Sequence, residues 1–543
     1  MNSLVLIFSA IAIFLVAYVT YGAWLAKKWG VDPSRETPAH TLSDGVDYVP
    51  ASAPVLLGHH FASIAGAGPI VGPIVASVFG WIPVMLWIII GGIFFGGVQD
   101  FGSLFASIRH DGKSIGQIIE SNIGTSGKKL FSVFAWLTLL LVVAAFVNIV
   151  ANTFVSVPEA ATASLLFIAL AIVFGIAVYR MNMPLGPATL VGVVALVGCI
   201  SAGMMFPIML SKTTWIFLLL GYIFVASVTP VWILLQPRDY LNSYLLYAMI
   251  GGAVLGLLLY RPSIQLTAFA GFKASNGQYL FPMLFVVVAC GAISGFHSLV
   301  GSGTSSKQID READAKLIGY GGMLIECVLA VIALITAAYI GGDRLSELLA
   351  NGGPVNVFSD GLGTFMVTFG LPFAVGKSFT ALAISAFALT SLDTATRLGR
   401  FIFQEYFEDA SKSVQSPLAS NRFISTAITV VLGGALALVG WQKVWPLFGS
   451  ANQLLAALAL LSLAAWLKNM GKENKMVFYP MIFMFVVTVC ALGLLIKTNI
   501  AAGNMLLVFF AVLLLGLSAI LAAQSVKVFS GKHTDKNQMK KSA

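Results

Sequence analysis

The sequence has few charged residues: they make up 10% of its 543 positions, whereas hydrophobic residues make up 58%. A soluble globular protein carries roughly 25% charged residues, so this composition excludes a soluble enzyme, a disordered chain and a nucleic-acid-binding protein. Cysteine is also scarce, and its four positions are widely spaced within apolar stretches. That spacing fits neither a disulfide framework nor a zinc motif and predicts buried small side chains.

Long apolar runs are what the sequence does have. A membrane-spanning helix needs about 20 predominantly apolar residues, and the runs between charged or Gly/Pro-rich breaks predict an all-α polytopic membrane protein with about fifteen spans. The first run is followed by Lys27 and Lys28, the reverse of the order in a cleaved signal peptide, so it is counted as a span. The predicted spans are 3–25, 54–78, 81–108, 130–152, 160–179, 187–209, 213–235, 243–260, 280–300, 317–340, 372–393, 423–440, 444–467, 476–496 and 505–526.

Basic residues are distributed unequally between the two sides that these spans define. With the amino terminus outside, 24 of the 31 Lys and Arg residues lie on one side, six lie on the other and one lies within a span. Short loops rich in Lys and Arg stay in the cytoplasm. The pattern therefore predicts a cytoplasmic-membrane protein with its amino terminus outside and its carboxyl terminus inside.

Two predicted spans contain residues that interrupt a helix. The run 54–78 contains Gly66-Ala67-Gly68-Pro69, and the run 213–235 contains Ser227-Val228-Thr229-Pro230. Broken helices at corresponding positions of two halves are typical of transporter binding sites. We predict a five-plus-five inverted repeat over 54–209 and 213–400. An extra helix and loop (1–53) precede it, and four accessory helices (401–526) and a basic tail (527–543) follow it.

Several motifs resemble those of the carbon-starvation protein A (CstA) family. The most distinctive is GHHFASIAGAGPIVGP at 58–73, and the likeness spans nearly the whole chain in order. The other stretches are DYVP at 47–50, VQDF at 98–101, PVW at 230–232, PRDYL at 237–241, ACGAISGFH at 289–297, SGT at 302–304, IGYG at 318–321, LDTATR at 392–397 and WPLFG at 445–449.

This resemblance implies a secondary active importer of the amino-acid-polyamine-organocation superfamily, with a LeuT-like fold, that takes up pyruvate or short peptides when carbon is scarce. The expected partners are then a small carboxylate or peptide substrate and the lipid bilayer, and the expected coupling ion is H⁺. No cofactor is expected, and the resemblance does not specify the oligomeric state. The outer loop 341–371 is shorter than in longer family members, which leaves the substrate open. A sodium-coupled symporter and, in another class, an intramembrane peptidase are the alternatives, although neither HExxH nor GxSxG occurs.

Ionisable side chains inside spans are costly and mark functional sites. His59, His60 and His297 fall in predicted spans, in the cytoplasmic half of the bilayer. Because histidine titrates near neutral pH, we predict a proton-coupling site of these residues with Asp100 as carboxylate neighbour. Structural hydrogen bonding to the helix breaks is one alternative. Zinc is another, but adjacent histidines point to different helix faces, so no metal site is predicted.

The substrate carboxylate is expected where unwound backbone exposes N–H groups at the start of a half-helix. Ser63, near the first break, adds a hydroxyl. The backbone residues predicted to contact substrate are Ala65, Gly66, Ala67 and Gly68 at the first break and Ser227, Val228 and Thr229 at the second. For the sodium alternative, the predicted hydroxyl ligands are Ser294, Ser298, Ser302 and Thr304, although serine in membrane helices also serves packing.

Opposite charges lie at the predicted inner ends of two spans. Arg238 and Asp239 are on one and Asp393 and Arg397 on the other. They predict an inner gate network, with a weak surface ion pair as the alternative. Glu326 and Lys377 are further charges inside spans, and their partners stay open at this point.

Overall fold

A computed structural model describes residues 2–45, 48–230, 233–274, 276–407 and 416–529 of the chain. Within those ranges every regular element is helical, and β-pairing is limited to isolated bridges. Asp47 and residues 231–232 of the CstA-like motifs lie outside the described residues. So does most of the predicted basic tail, from residue 530 onward.

Twenty-four α-helices follow one another in the described residues. The first twelve are α1 (Ser3–Ala17), α2 (Ala23–Trp29), α3 (Pro38–Thr41), α4 (Ala53–Ala65), α5 (Gly68–Ala76), α6 (Trp81–Gly91), α7 (Gly97–Ile108), α8 (Ile115–Ile123), α9 (Thr125–Ser156), α10 (Pro158–Tyr179), α11 (Leu185–Met205) and α12 (Lys212–Val228). The others are α13 (Leu235–Tyr260), α14 (Leu280–Val287), α15 (Gly295–Gly303), α16 (Gly322–Ile340), α17 (Gly342–Ala350), α18 (Gly353–Met366), α19 (Phe373–Phe407), α20 (Pro417–Ser420), α21 (Arg422–Ala437), α22 (Trp441–Asn469), α23 (Lys475–Ala501) and α24 (Met505–Phe529).

Eleven of the helical runs are long and apolar enough to cross a bilayer, and the α4–α5 pair, bent by 42°, makes a twelfth if it is one span. The predicted all-helical membrane class is therefore confirmed. The count of fifteen stays a prediction. The predicted spans beyond these twelve correspond to two shorter apolar helices, α12 and α21, and to the pair α14 and α15.

The core is organised around two long helices. The 32-residue α9 and the 35-residue α19 pack along one another more extensively than any other pair of described helices. The span within α22 is wholly buried. By contrast, Leu15, Leu190, Phe217 and Phe509 are 60–69% exposed. Apolar side chains in such numbers on the outside of a bundle indicate a surface that faces lipid.

Two of the departures from the predicted loops involve α19. The stretch 341–371, predicted as an outer loop, contains α17 and α18, and residues 353–363 of α18 are all buried. Its small residues and phenylalanines allow that close packing against α19. At the other place, helix α19 continues to Phe407, past the predicted end of its span at Asp393.

Two of the interruptions lie at or near predicted positions, and a third was missed. The predicted break at 227–230 becomes a non-helical segment after α12, and α13 then begins at Leu235, eight residues before the predicted start of the next span. The missed break separates α14 from α15 over residues 288–294. The sequence there has one glycine, Gly291, and no proline, so its signal is weak.

The segment after α15 is held by the amino-terminal part of the chain. The buried carboxylate of Glu312 accepts hydrogen bonds from Arg109, at 2.6 and 2.9 Å, and from the backbone N–H of Asp32 at 2.8 Å. The Thr37 hydroxyl donates to the carbonyl of Ile309 at 2.5 Å. These contacts fix the position of the loop that carries Ser305, which contacts His60.

Candidate functional site

Two helix breaks meet in the middle of the bundle. At the first, Gly66 has φ +33°, and at the second, residues 288–294 leave the helix. A Cβ at Gly68 would lie 2.5 Å from the side chain of Cys290, and one at Gly72 would lie 2.8 Å from the carbonyl oxygen of Val287. The glycines therefore allow α5 to approach the α14–α15 segment closely, and the two broken helices touch at their breaks.

Replacing Gly66 with alanine is expected to destabilise the protein by about 1–3 kcal/mol, since positive φ strains an L-residue. The added Cβ would also lie 2.7 Å from Oγ of Ser391. Thermal unfolding of the purified variant measures the effect. The matched control is Gly221→Ala on α12, where φ is helical and nothing lies within 4 Å of the new methyl group. Equal unfolding temperatures for both variants would contradict the strain argument.

One histidine and two carboxylates form the most buried ionisable cluster, here called the histidine network. His297 Nδ1 lies 2.7 Å from Asp100 Oδ2, and His297 Nε2 lies 3.4 Å from Glu326 Oε2. The three side chains are 0–1% exposed. They come from α15, α7 and α16, so the network joins three spans and supplies the partner of Glu326 that the sequence left open.

Neutral side chains position the start of α15 beside this network. The amide of Gln99 donates to the Ser294 carbonyl at 2.8 Å. The amide oxygen of Asn452 accepts from the Phe296 N–H at 2.9 Å, and the Asn452 amide nitrogen lies 3.0 Å from Oγ of Ser294. These bonds satisfy backbone groups that the helix break frees, and they hold His297 in place.

His60 lies close to the histidine network but bonds elsewhere. Its Nδ1 lies 2.7 Å from Oγ of Ser305. A Cβ at Gly322, the first residue of α16, would lie 3.4 Å from its Cδ2. In the described residues its Nε2 has no hydrogen-bond partner. His59, one residue earlier, faces the other way, as expected for neighbours on a helix.

A second buried cluster, the arginine network, contains Arg238, Asp239 and Asp393. Arg238 bonds Asp393 through Nη1 and Asp239 through Nη2, the latter at 2.9 Å. All three side chains are 0–1% exposed. These charges are therefore not a surface ion pair, the alternative to the gate network, because α13 and α19 bury them between them. The role of the network as a gate stays a prediction.

Other residues complete the arginine network. The Tyr222 hydroxyl donates to Asp393 at 2.8 Å, and the Thr390 hydroxyl donates to Asp239 at 3.1 Å. His59 Nδ1 lies 3.4 Å from Asp239 Oδ2. Arg397, predicted in this cluster, instead donates to the carbonyls of Ala226 and Thr229, at 2.9 and 2.6 Å. It therefore binds the end of α12, where carbonyls lack helical partners.

A cavity of about 240 Å³ leads into the bundle from the side predicted to be cytoplasmic. His59 and Ser63 of α4 line it together with Leu299 and Thr394. Three basic residues, Lys113, Lys307 and Arg397, and one acidic residue, Glu405, also line it. The described lining thus has a positive excess, and it includes five predicted site residues: His59, Ser63, Ser302, Thr304 and Arg397.

The predicted substrate residues do not form one site. Ala65, Gly66, Ala67 and Gly68 are buried at the first break, against Ser391 and Cys290. Ser227, Val228 and Thr229 lie at the end of α12, where the Ser227 hydroxyl is 3.4 Å from that of Thr426 on α21. The second break that faces the first is 288–294, which the sequence did not predict.

The hydroxyls predicted for a sodium site are each engaged locally. Ser298, Ser302 and Thr304 donate to the carbonyls of Gly295, Ser298 and Val300, at 2.6, 2.6 and 2.8 Å. Ser294 contacts Asn452. Such bonds back to the preceding helical turn are ordinary for hydroxyls in helices.

The predicted outer charges also find partners. Lys377 Nζ lies 3.8 Å from Asp360 on α18, and Arg344 donates to the same carboxylate at 2.9 Å. This pairing was not predicted, because Asp360 falls within the predicted outer loop 341–371. The same holds for Tyr222, Thr390 and Asn452, which are uncharged and common residue types in membrane helices.

Comparison with known proteins adds independent information. The family model described as carbon starvation protein CstA matches residues 2–350 and 343–491. The peptide transporter CstA of Escherichia coli K12 is 32% identical over 548 residues, which cover 87% of this chain and 78% of the relative. The pyruvate/proton symporter BtsT of the same organism is 32% identical over 592 residues, covering 92% and 82%. The peptide transporter CstA of Bacillus subtilis 168 is 30% identical, covering 85% and 84%.

Among solved structures, the chain is similar to the Eremococcus coleocola manganese transporter in complex with an aromatic bis-isothiourea substituted compound. The TM-score is 0.52 at 13% identity, and the match covers 90% of this chain and 99% of the other. At that identity the likeness concerns the fold alone.

Proposed function

The chain belongs to the family of carbon starvation protein CstA, and from this membership we propose that it is a proton symporter for small carboxylate nutrients. Its substrates would be pyruvate, short peptides or both, as the names of its relatives indicate. It would act in the cytoplasmic membrane, with its amino terminus outside and its carboxyl terminus inside. Membership in a family of transporters argues against an intramembrane peptidase.

The histidine network is the observation that carries proton coupling. Asp100, His297 and Glu326 would hold a net charge of −1 if both carboxyls were ionised and the imidazole were protonated. Burying an uncompensated charge in a membrane protein is costly. The network is neutral if it contains an imidazolium and one protonated carboxyl, or a neutral imidazole and two protonated carboxyls. Either neutral form holds one proton more than the form with a net charge of −1. A closed network therefore keeps a proton that it releases once water reaches it.

Alternating access would deliver that water. His60 and His297 lie on the two broken helices, whose breaks touch, so a movement of one relative to the other changes the surroundings of both. In the conformation described, the cavity reaches His59 and Ser63 while the histidine network is closed. Proton release and substrate release to the cytoplasm would follow when the cavity extends further between α4 and α15.

The helices support an inverted repeat, with a pairing different from the predicted one. We propose that the halves begin at α4–α5 and at α14–α15, since both are broken. The next span of the first half, α6–α7, then corresponds to α16 in the second half. A π-helical turn joins α6 to α7 at Gly92–Gly96, and another directly precedes α16 at Lys316–Gly321. The long α9 and α19 correspond next, then the short α12 and α21, then α13 and α22.

Helix packing follows the same correspondence. Helix α4 packs against α13, as α14 packs against α22, and α5 packs against α16, as α15 packs against α7. The hairpin of α10 and α11 is then an insertion in the first half. If all fifteen predicted spans cross, the halves have opposite orientation, as in the LeuT-like fold of the amino-acid-polyamine-organocation superfamily. The predicted boundaries 54–209 and 213–400 would shift accordingly.

The arginine network would act as the inner gate. It lies between α13 and α19, and Asp239 also reaches His59 of the first broken helix. Movement of α4 therefore has to break or reform this contact. The buried geometry supports that role better than a surface pair, whose energy is about 0–1 kcal/mol.

Uptake by the purified protein in liposomes tests the proposed function. Radiolabelled pyruvate and a dipeptide are each offered with an imposed proton gradient, with a sodium gradient, and with neither. We expect accumulation above the external concentration with the proton gradient alone. Accumulation driven only by sodium would instead support the alternative based on Ser294, Ser298, Ser302 and Thr304. Equilibration without accumulation would indicate a channel and contradict symport.

A further inference from the structure

The closed end of the cavity contains an unsatisfied hydroxyl. Ser63 is 1% exposed, lines the cavity, and within the described residues its Oγ has no hydrogen-bond partner. Most buried hydroxyls in proteins are hydrogen-bonded. An unpaired one at the end of an open cavity points to a polar ligand.

His59 is the second group at this end. It lies one helical turn before Ser63, on the same face of α4. Its ring is 19% exposed, and Nδ1 faces Asp239. Nε2 is therefore the ring nitrogen that remains for a ligand, and an imidazolium donates from both nitrogens.

The charged side chains that line the cavity favour an anionic ligand. Across the cavity, Lys113, Lys307 and Arg397 face one acidic residue, Glu405, and Lys307 lies over the ring of Tyr48. Among the described residues the cavity lining is therefore positive, and a positive lining attracts anions.

We propose that His59 and Ser63 form the subsite for the carboxylate group of the substrate, a small monocarboxylate or a peptide C-terminus. This proposal rests on the proposed function and assigns its substrate site to side chains of α4 rather than to backbone N–H groups at the breaks. Asp239 lies on the other side of the imidazole, 3.4 Å from Nδ1. The carboxylate accepts one bond from His59 Nε2 and one from Ser63 Oγ.

The test is competition against uptake of radiolabelled pyruvate by the liposomes, with unlabelled pyruvate and with its uncharged amide as competitors. In the parent protein we expect pyruvate to compete far better than the amide. His59→Gln should raise the KM for pyruvate by about tenfold, because it removes a charge-assisted hydrogen bond. It should also reduce the preference for pyruvate over the amide. Ser63→Ala should raise KM by about fivefold, the loss of a neutral bond.

Matched controls separate recognition from folding. His110→Gln removes a half-buried histidine that bonds the Ala106 carbonyl, and Ser103→Ala removes a buried hydroxyl that likewise has no partner in the described residues; neither residue lines the cavity. Both should keep the parent KM and preference. Unchanged preference in His59→Gln and Ser63→Ala, in a parent protein that accumulates pyruvate, would overturn the subsite alone. If His59→Gln does not fold, Ser63→Ala decides. A parent protein that accumulates neither substrate would overturn the proposed function as well.

Discussion

Replacing Arg238 with glutamine is expected to destabilise the protein by about 3–5 kcal/mol, the cost of removing one partner from a buried ion pair. The variant leaves the carboxylates of Asp239 and Asp393 buried without the guanidinium that both contact. Glutamine cannot replace the charge or the forked geometry. We therefore expect a large drop in unfolding temperature and loss of transport.

Thermal unfolding in detergent measures this effect, and an exposed ion pair provides the control. Lys28 and Glu473 are 2.8 Å apart, with side chains 39% and 42% exposed. Lys28→Gln should change stability by at most about 1 kcal/mol. Adding Asp393→Asn to Arg238→Gln removes one unpaired charge and should recover part of the loss. Equal stability of Arg238→Gln and Lys28→Gln would mean that the arginine network is not buried in the membrane-embedded protein.

Replacing Glu326 with glutamine is expected to abolish proton-driven accumulation while leaving exchange of substrate across the membrane. The change removes one titratable group from the histidine network and leaves Asp100 and His297. These two groups are neutral together with one proton fewer than the neutral network of the parent protein holds. Since a gradient of about one pH unit corresponds to 1.4 kcal/mol, it supports about tenfold accumulation of a monocarboxylate that enters with one proton. In Glu326→Gln the inside-to-outside ratio should fall to about one.

Counterflow in liposomes without a gradient measures the exchange that should remain. Glu347→Gln, which changes an exposed glutamate of α17, serves as the control and should accumulate like the parent protein. Asp100→Asn should behave like Glu326→Gln, because either change leaves one carboxyl and the imidazole, which together are neutral with one proton fewer than in the parent protein. Full tenfold accumulation by Glu326→Gln would refute proton coupling through the histidine network.

The sequence predicts most of the charged site residues but not how they are arranged. His297 and Asp100 were predicted together, and the structure places them in contact. Four charged residues were predicted to lie together at the inner ends of two spans. Three of them, Arg238, Asp239 and Asp393, form the arginine network. Arg397 was misplaced because a sequence shows that a charge lies at a helix end but not which neighbouring helix it faces.

The second helix break shows the same limit. Proline and glycine revealed the breaks at 66–69 and 227–230 because these residues disturb a helix by their own backbone chemistry. The break at 288–294 contains no proline and depends on Gln99 and Asn452, which bind the freed backbone groups. Such support comes from distant parts of the chain and leaves little local signal.

The sequence by itself determined that the chain is a helical membrane protein, roughly where its apolar helices lie, which family it resembles and which few ionisable groups are inside the membrane. Those properties follow from local composition, since lipid excludes unpaired backbone and charge. Only the tertiary structure decided that Glu326 faces His297, that His59 faces Asp239 and that the breaks of α4–α5 and α14–α15 meet. These contacts join residues far apart in the chain, 197 positions in the case of Asp100 and His297, and they depend on which helix faces pack together.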